Sequence, residues 1–376
     1  MIGRSVTVIH FVAEDSKRNT MKLRGIYLLG SDSYDLIYGQ SERERIAELV
    51  DLYAAPQTPE SVRENPAVLA DAEVIFSGWG MPRADEAFLA AAPNLKVIFY
   101  GAGAIGGWAT HELFDRGVAV TTAQRANSVP VAEYALATIL FSLKHGWRLA
   151  RETRATRKFV GRDDAPGCYR RNVGLISLGV IGRLLLELLR PFDLGVLVYD
   201  PFLSDEEANE LGVGRASLME LFRRSDVVSL HAPALPETQG MIGGEHLSAM
   251  PWGGTFINTA RGVVVRQDEL IAVAADRPDL QFVLDVAETP GRITPEWPEP
   301  DSPLYTLPNV VLTPHIAGSV GQECRRMGRY MVEELERYVA GRPLRWQVTP
   351  EMAAGSSHRP AAKNGTEKVI NVLSHV

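Results

Sequence analysis

Arg261 and His315 each stand directly after an apolar, strand-like run, at residues 255–258 and 310–313. A guanidinium is planar and permanently charged, and its fork meets a carboxylate through two parallel hydrogen bonds. Imidazole titrates near neutral pH and can give a proton to an oxygen as charge develops on it. A carboxylate hydrogen-bonded to that imidazole would raise its pKa and fix its tautomer. A cation and a proton donor of this kind, joined to a hydride source, make up the set needed to reduce a 2-oxo acid. Both positions are strand ends, where ligands bind in open α/β sheets. The plainer readings are a surface ion pair for Arg261 and a structural histidine after Pro314 for His315.

The hydride source has its own signature. Val173-Gly174-Leu175-Ile176-Ser177-Leu178-Gly179-Val180-Ile181-Gly182 nearly matches G-x-G-x-x-G, with Ser177 in the place of the first glycine. Gly179 would let a pyrophosphate approach the backbone, and Gly182 would let the following helix lie close to the strand. The amides around Leu178, Val180 and Ile181 would face the phosphates at the helix N-terminus. Ser177 is expected to take the turn only outside left-handed space. Asp200 ends the next strand, about 20 residues beyond the loop, where a carboxylate binds the adenosine ribose hydroxyls. Its charge would repel a 2′-phosphate, and no arginine stands at Pro201 or Phe202, so the pattern selects NAD over NADP. A strand-end aspartate capping a turn is the alternative.

The elements that must position these groups alternate as apolar runs and amphipathic helix-length segments, the pattern of a parallel α/β fold. Strands are expected at 26–29, 72–77, 96–100 and 118–122. A helix is expected over 42–53, another over 84–91, and one long helix over 131–156 that could bridge two domains. From Asn172 the rhythm restarts, with strands at 173–178, 196–199, 227–230, 255–258, 282–286 and 310–313. Helices fall between them at 182–189, 218–223 and 268–275. A last helix over 322–340 returns to the first region. Residues 1–20 read as an extension ahead of the first strand. The stretch 350–376, rich in Ala, Gly, Ser and Lys, reads as a disordered tail.

Composition narrows the classes. A chain of 376 residues exceeds what one core usually serves, so two domains are expected. A formal charge of -7 argues against a nucleic-acid partner, which needs a basic footprint. No run approaches a membrane span of roughly 18 apolar residues. The two cysteines, Cys168 and Cys324, make neither a disulfide framework nor a metal spacing, so no metal is expected and a reducing cytoplasmic setting fits.

Together with Val129-Pro130-Val131-Ala132-Glu133, three later motifs closely resemble the D-isomer-specific 2-hydroxyacid dehydrogenase family: Asn258-Thr259-Ala260-Arg261-Gly262, Leu284-Asp285-Val286 and Thr313-Pro314-His315-Ile316-Ala317-Gly318. The resemblance implies an α/β chain of two domains, with a Rossmann-type NAD-binding domain inserted into a flavodoxin-like substrate domain. The boundaries it implies are 21–126 with 320–349 for the substrate domain and 127–319 for the NAD-binding domain. It further implies NAD-dependent interconversion of a 2-oxo acid and a D-2-hydroxy acid, and a homodimer. Arg261 would hold the substrate carboxylate and His315 would be the acid/base. Val131 would touch the nicotinamide, while His231, Ala232 and Pro233 would line the adenosine side. Thr238 would reach a phosphate, Asp285 would bond the carboxamide, and Thr259, Ala260 and Gly318 would flank the cofactor. Tyr100, Gly101, Ala102 and Gly103 resemble the loop whose amides hold the substrate carboxylate. A plain turn is the alternative for that loop, and loop capping for His231 and Thr238.

The sequence departs from the family in two places. Ala104-Ile105-Gly106-Gly107-Trp108 stand where an aspartate is usual, which leaves the preferred 2-hydroxy acid open. The family's catalytic glutamate falls on Pro290, whereas the stretch from Pro295 to Leu304 resembles the family's run into Asp-Ser-Pro-Leu. That register implies an insertion near residues 289–294 and makes Glu296 the counterpart, with Glu288 and Glu299 as alternatives. Two rival functions fit the same scaffold: an NAD-sensing binding protein or co-repressor, and a formate- or phosphite-type dehydrogenase.

Overall fold

The computed structural model describes residues 22–289 and 297–350. The expected extension over residues 1–20, the tail beyond Pro350 and Glu296 lie outside the described residues.

The first sheet contains β1 (Leu23–Leu28), β2 (Val50–Leu52), β3 (Val74–Ser77), β4 (Val97–Tyr100) and β5 (Ala119–Thr122), in the order β2-β1-β3-β4-β5. The second contains β6 (Arg171–Ile176), β7 (Leu194–Tyr199), β8 (Gly214–Arg215), β9 (Val227–Leu230), β10 (Thr255–Asn258), β11 (Gln281–Leu284) and β12 (Val310–Leu312). Its order is β12-β11-β10-β9-β6-β7-β8. Every strand pairing in both is parallel. The first order is flavodoxin-like and the second is the doubly wound dinucleotide-binding order, extended by one strand. The two-domain α/β expectation is met.

Both sheets are covered on both faces, which is why their strands read as unbroken apolar runs rather than alternating ones. Along β4, Val97 and Phe99 enter one core and Ile98 and Tyr100 the other. Along β11, Phe282 and Leu284 enter one core and Val283 the opposite one. Burying a side chain such as Phe99 contributes roughly 1.5–3 kcal/mol. The C-terminal helix Cys324–Val339 returns to the first sheet, where Met327, Met331 and Leu335 pack with Phe76 and Phe99.

Helix Gln124–Ser142 joins the two bodies. Ala126 is buried in the first core, while Ala132, Ala135 and Ile139 are buried in the second. The expected helix over 131–156 is corrected at both its start and its middle. It begins at Gln124, because the turn ahead of Pro130 is buried in the first core. It breaks after Ser142, where His145 takes a left-handed conformation (φ 50) and starts a separate helix, Gly146–Thr156. The bend is 57°, and the Trp147 indole fastens it by donating to Ser142 Oγ at 3.1 Å.

The helix expected over 42–53 is also shorter, spanning Gln40–Leu49. Val50 to Leu52 pair with β1 instead, in the register Leu23↔Val50. A β-branched residue next to an open strand edge gains more from pairing than from another helical turn. No single helix among the described residues is long and apolar enough to cross a membrane.

Candidate active site

The second sheet reverses its strand order between β6 and β9, and ligands of such sheets bind in the crevice beyond the strand ends at that point. The near-glycine-rich turn follows β6 and His231-Ala232-Pro233 follow β9. Arg261, Asp285 and His315 lie past the ends of β10, β11 and β12 on the same edge.

In the turn, Ser177 lies at φ 74, inside the left-handed region it was expected to avoid. The turn geometry is imposed by its surroundings: Ser177 donates its amide to the Tyr199 carbonyl at 2.8 Å, and its carbonyl lies against the helix. A Cβ on Gly182 would sit 2.4 Å from the Ser177 oxygen, so only glycine permits this approach. Leu178 is buried in the core and its amide donates to Asp200 Oδ2 at 2.7 Å. The helix Val180–Leu189 begins at Gly179 without a side-chain cap, leaving its first-turn amides to an external acceptor.

Three observations test whether these residues fit NAD. A Cβ on Gly179 would meet nothing within 4 Å, so the space before the helix is open. His231 Nδ1 and Thr259 Oγ1 are buried without a partner among the described residues. Asp200 accepts from Leu178 and from Phe202 (2.8 Å) with one oxygen each, which leaves lone pairs for ribose hydroxyls. Turn capping and ribose binding are therefore compatible at this carboxylate, and the cradle fits the cofactor.

The other expected contacts divide. Val131 and Ala232 are buried. His231 is buried too, shares a hydrogen bond with Ser229 Oγ at 3.0 Å, and its pKa is pushed down to about 4 by burial. Thr238 Oγ1 donates to the Pro233 carbonyl at 2.6 Å and accepts from the Leu235 amide at 2.9 Å. With its proton and that amide engaged, it serves the turn. Gly101 gives its amide to the Ser77 carbonyl at 2.8 Å and Ala102 is fully buried, so Gly103, which is half-buried, is left to present an amide. Tyr100 is buried against the Trp108 ring, with centroids 4.9 Å apart.

Asn258 shapes the arginine turn. Its Oδ1 accepts the Ala260 amide at 3.0 Å, and its Nδ2 donates to the Arg261 carbonyl at 3.1 Å. Asp285 is buried. Its Oδ1 accepts from Thr313 Oγ1 (2.6 Å) and the Ile316 amide (2.9 Å), and its Oδ2 from the Ala317 amide (2.8 Å). Between these contacts His315 lies at φ 54.

Burial holds the His315 ring below its ordinary pKa, the positive charge of Arg261 depresses it further, and Asp285 opposes both. A carboxylate partner was expected to raise this pKa; among the described residues burial and Arg261 outweigh the one that does. Glu288 is held through its backbone by Gln267 at 2.8 and 3.2 Å, and Glu299 is exposed. No described carboxylate hydrogen-bonds the ring. Thr289 and Trp297 meet through the Thr289 hydroxyl, which accepts the Trp297 amide at 2.8 Å.

Sequence reasoning missed Asn127 and Tyr134, both on the joining helix. Asn127 Oδ1 accepts the Ser319 amide at 2.8 Å. Its side-chain amide lies 3.5 Å from where a Cβ on Gly318 would be and 4.0 Å from where one on Gly103 would be, so one residue bonds the histidine loop and lies beside the substrate loop. The Tyr134 hydroxyl meets Thr313 Oγ1 at 2.9 Å.

Residues 136–317 match the family model described as D-isomer specific 2-hydroxyacid dehydrogenase, NAD binding domain. D-3-phosphoglycerate dehydrogenase of Archaeoglobus fulgidus is 31% identical over 267 residues, which is 70% of this chain and 49% of that protein. The chain thus spans about half the length of the curated relatives it matches. The crystal structure of the TT0316 protein from Thermus thermophilus superimposes with a TM-score of 0.67 at 26% identity, covering 87% of this chain and 100% of that one. Apo D-mandelate dehydrogenase of Rhodotorula graminis gives a TM-score of 0.70 at 25% identity, over 87% and 98%.

Proposed function

The chain belongs to the D-isomer specific 2-hydroxyacid dehydrogenase family, and from that premise we propose that it interconverts a 2-oxo acid and a D-2-hydroxy acid with NAD as cofactor. The observation that carries this reading is the placement of Arg261 and His315 past the ends of β10 and β12 on one edge of the sheet, with Asp285 past β11 between them, close enough that the arginine charge is felt at the imidazole.

Arg261 binds the substrate carboxylate through its fork and polarises the carbonyl, aided by the amide of Gly103. His315 gives its proton to the carbonyl oxygen. NADH held on the turn after β6, with Asp200 at its ribose, would supply the hydride that with this proton turns C=O into CH–OH. In the opposite direction neutral His315 takes the hydroxyl proton. Asp200 selects the unphosphorylated adenosine ribose by charge.

Glu296 serves in this reading as the carboxylate partner of His315, by register with the Asp301-Ser302-Pro303-Leu304 run. Replacing Glu288, Glu296 and Glu299 by glutamine in turn tests this; an unchanged pH–rate profile for Glu296→Gln would remove it. Residues 21–126 with 320–349 form the substrate domain and residues 127–319 the NAD-binding domain. Helix Gln124–Ser142 contributes to a homodimer interface, which sedimentation of a monomer at micromolar concentration would overturn.

The deciding experiment is NADH oxidation against a panel of 2-oxo acids: glyoxylate, hydroxypyruvate, phenylpyruvate, sugar-derived 2-oxo acids and the 2-oxo form of D-3-phosphoglycerate. The last is included because the curated relatives carry that substrate in their name. Consumption of NADH with at least one member is expected. Tight NADH binding without turnover on any would point to a nucleotide-sensing binding protein, and NAD reduction by formate or phosphite to the other chemistry.

A further inference from the structure

We propose that Tyr134 is a positioning residue for His315, acting through Thr313 and Asp285; the inference rests on the acid/base role given to His315 above. Tyr134 lies on helix Gln124–Ser142, and its hydroxyl meets Thr313 Oγ1 at 2.9 Å. Thr313 Oγ1 lies 2.6 Å from Asp285 Oδ1.

The direction of this chain follows from counting protons. A carboxylate that already takes the amides of Ile316 and Ala317 acts as an acceptor. Thr313 has one hydroxyl proton, so it donates to Asp285. Tyr134 must then donate to Thr313.

The chain ends on both sides of the histidine. The Asp285 carboxylate holds the two residues after His315, and the Asp285 carbonyl accepts the His315 amide at 3.1 Å. His315 itself sits at φ 54, a conformation that a non-glycine residue keeps only where its surroundings over-determine it. Tyr134 brings that support from a helix whose apolar residues are buried in both cores. The histidine loop is thereby registered against the element common to the two bodies and not only against its own sheet.

Tyr134→Phe removes the donor and keeps the ring. It should lower kcat roughly three- to tenfold, the range of one lost hydrogen bond, while leaving the KM for NADH unchanged. Hydrogen exchange of the Ile316 and Ala317 amides should quicken by a similar factor, with exchange in β6 and β9 unaltered. Thr313→Val should reproduce both effects, and the double variant should be no worse than Thr313→Val alone. Unchanged exchange at Ile316 and Ala317 in Tyr134→Phe would overturn the proposal. So would additive losses in the double variant, or a fall in kcat that only follows a global loss of stability. The exchange readout needs no turnover, so failure of the dehydrogenase assignment and failure of this chain give different results.

Discussion

Leu178 donates its backbone amide to Asp200 Oδ2 across 2.7 Å, so the phosphate turn and the acid at the end of β7 form one hydrogen-bonded unit. Asp200→Ala removes an acceptor for the turn and, on the proposed ribose contact, the charge that would repel a 2′-phosphate. NADH affinity should fall at least about tenfold, and NADPH affinity should fall less or rise. Fluorescence titration with both nucleotides separates the roles: equal losses would mean that Asp200 only braces the turn.

Arg261→Lys keeps the charge and loses the fork. If bidentate carboxylate binding is the role of Arg261, kcat/KM for the 2-oxo acid should drop on the order of a hundredfold, with NADH binding little changed. Steady-state kinetics paired with NADH titration checks this. Activity within about threefold of the parent, less than one hydrogen bond is worth, would place Arg261 outside the substrate contacts.

The fold was readable because buried parallel strands are continuous apolar runs, and ten of them stand out along the chain. The strands that escaped, Val50–Leu52 and Gly214–Arg215, are short edges whose existence depends on a partner rather than on local pattern. Arg261 and His315 were readable because each directly follows a strand. Thr238 and Gly101 were given ligand roles, yet the Thr238 hydroxyl is engaged by its own turn and the Gly101 amide by Ser77 of β3, since a sequence shows a hydroxyl or amide but not what has claimed it. Asn127 and Tyr134 were not readable: their partners stand 192 and 179 positions away.

Buried His231 makes stability fall in acid. Its folded pKa, about 4 against an ordinary 6.5, is depressed by burial, so the unfolded chain binds the proton more readily. The neutral form's contribution is present above 6.5 and is lost as pH falls from 6.5 through 4, in total roughly 3 kcal/mol. Thermal melts across that window should show a shallower decline in His231→Asn than in the parent. Identical slopes would show that the imidazole becomes charged without cost, contrary to its buried setting.

Arg261 also depresses His315, which would tie protonation to substrate binding if Arg261 holds the carboxylate as proposed. A carboxylate ligand seated on Arg261 would offset that charge and let the imidazole pKa rise. Binding of oxamate to the NADH complex near neutral pH should therefore take up protons, seen by calorimetry in buffers of different ionisation enthalpy. His315→Gln should abolish the uptake without abolishing oxamate binding. Uptake that persists in His315→Gln would assign the proton to another group.

Ser177 occupies left-handed space at φ 74, where a side chain costs about 1 kcal/mol or more relative to glycine. Gly182 cannot relieve it, because the Ser177 carbonyl is held against the helix start. Ser177→Gly supplies the glycine that the turn calls for and should stabilise the protein. Part of the gain is offset by the greater freedom of glycine in the unfolded chain, leaving a net of about 0.5–1 kcal/mol. At the size of this chain that is a rise of about 1 °C in Tm. NADH affinity should be kept or improved, because the backbone path of the turn is unaltered. A lower Tm would mean that the serine side chain contributes more to the turn than its strain costs.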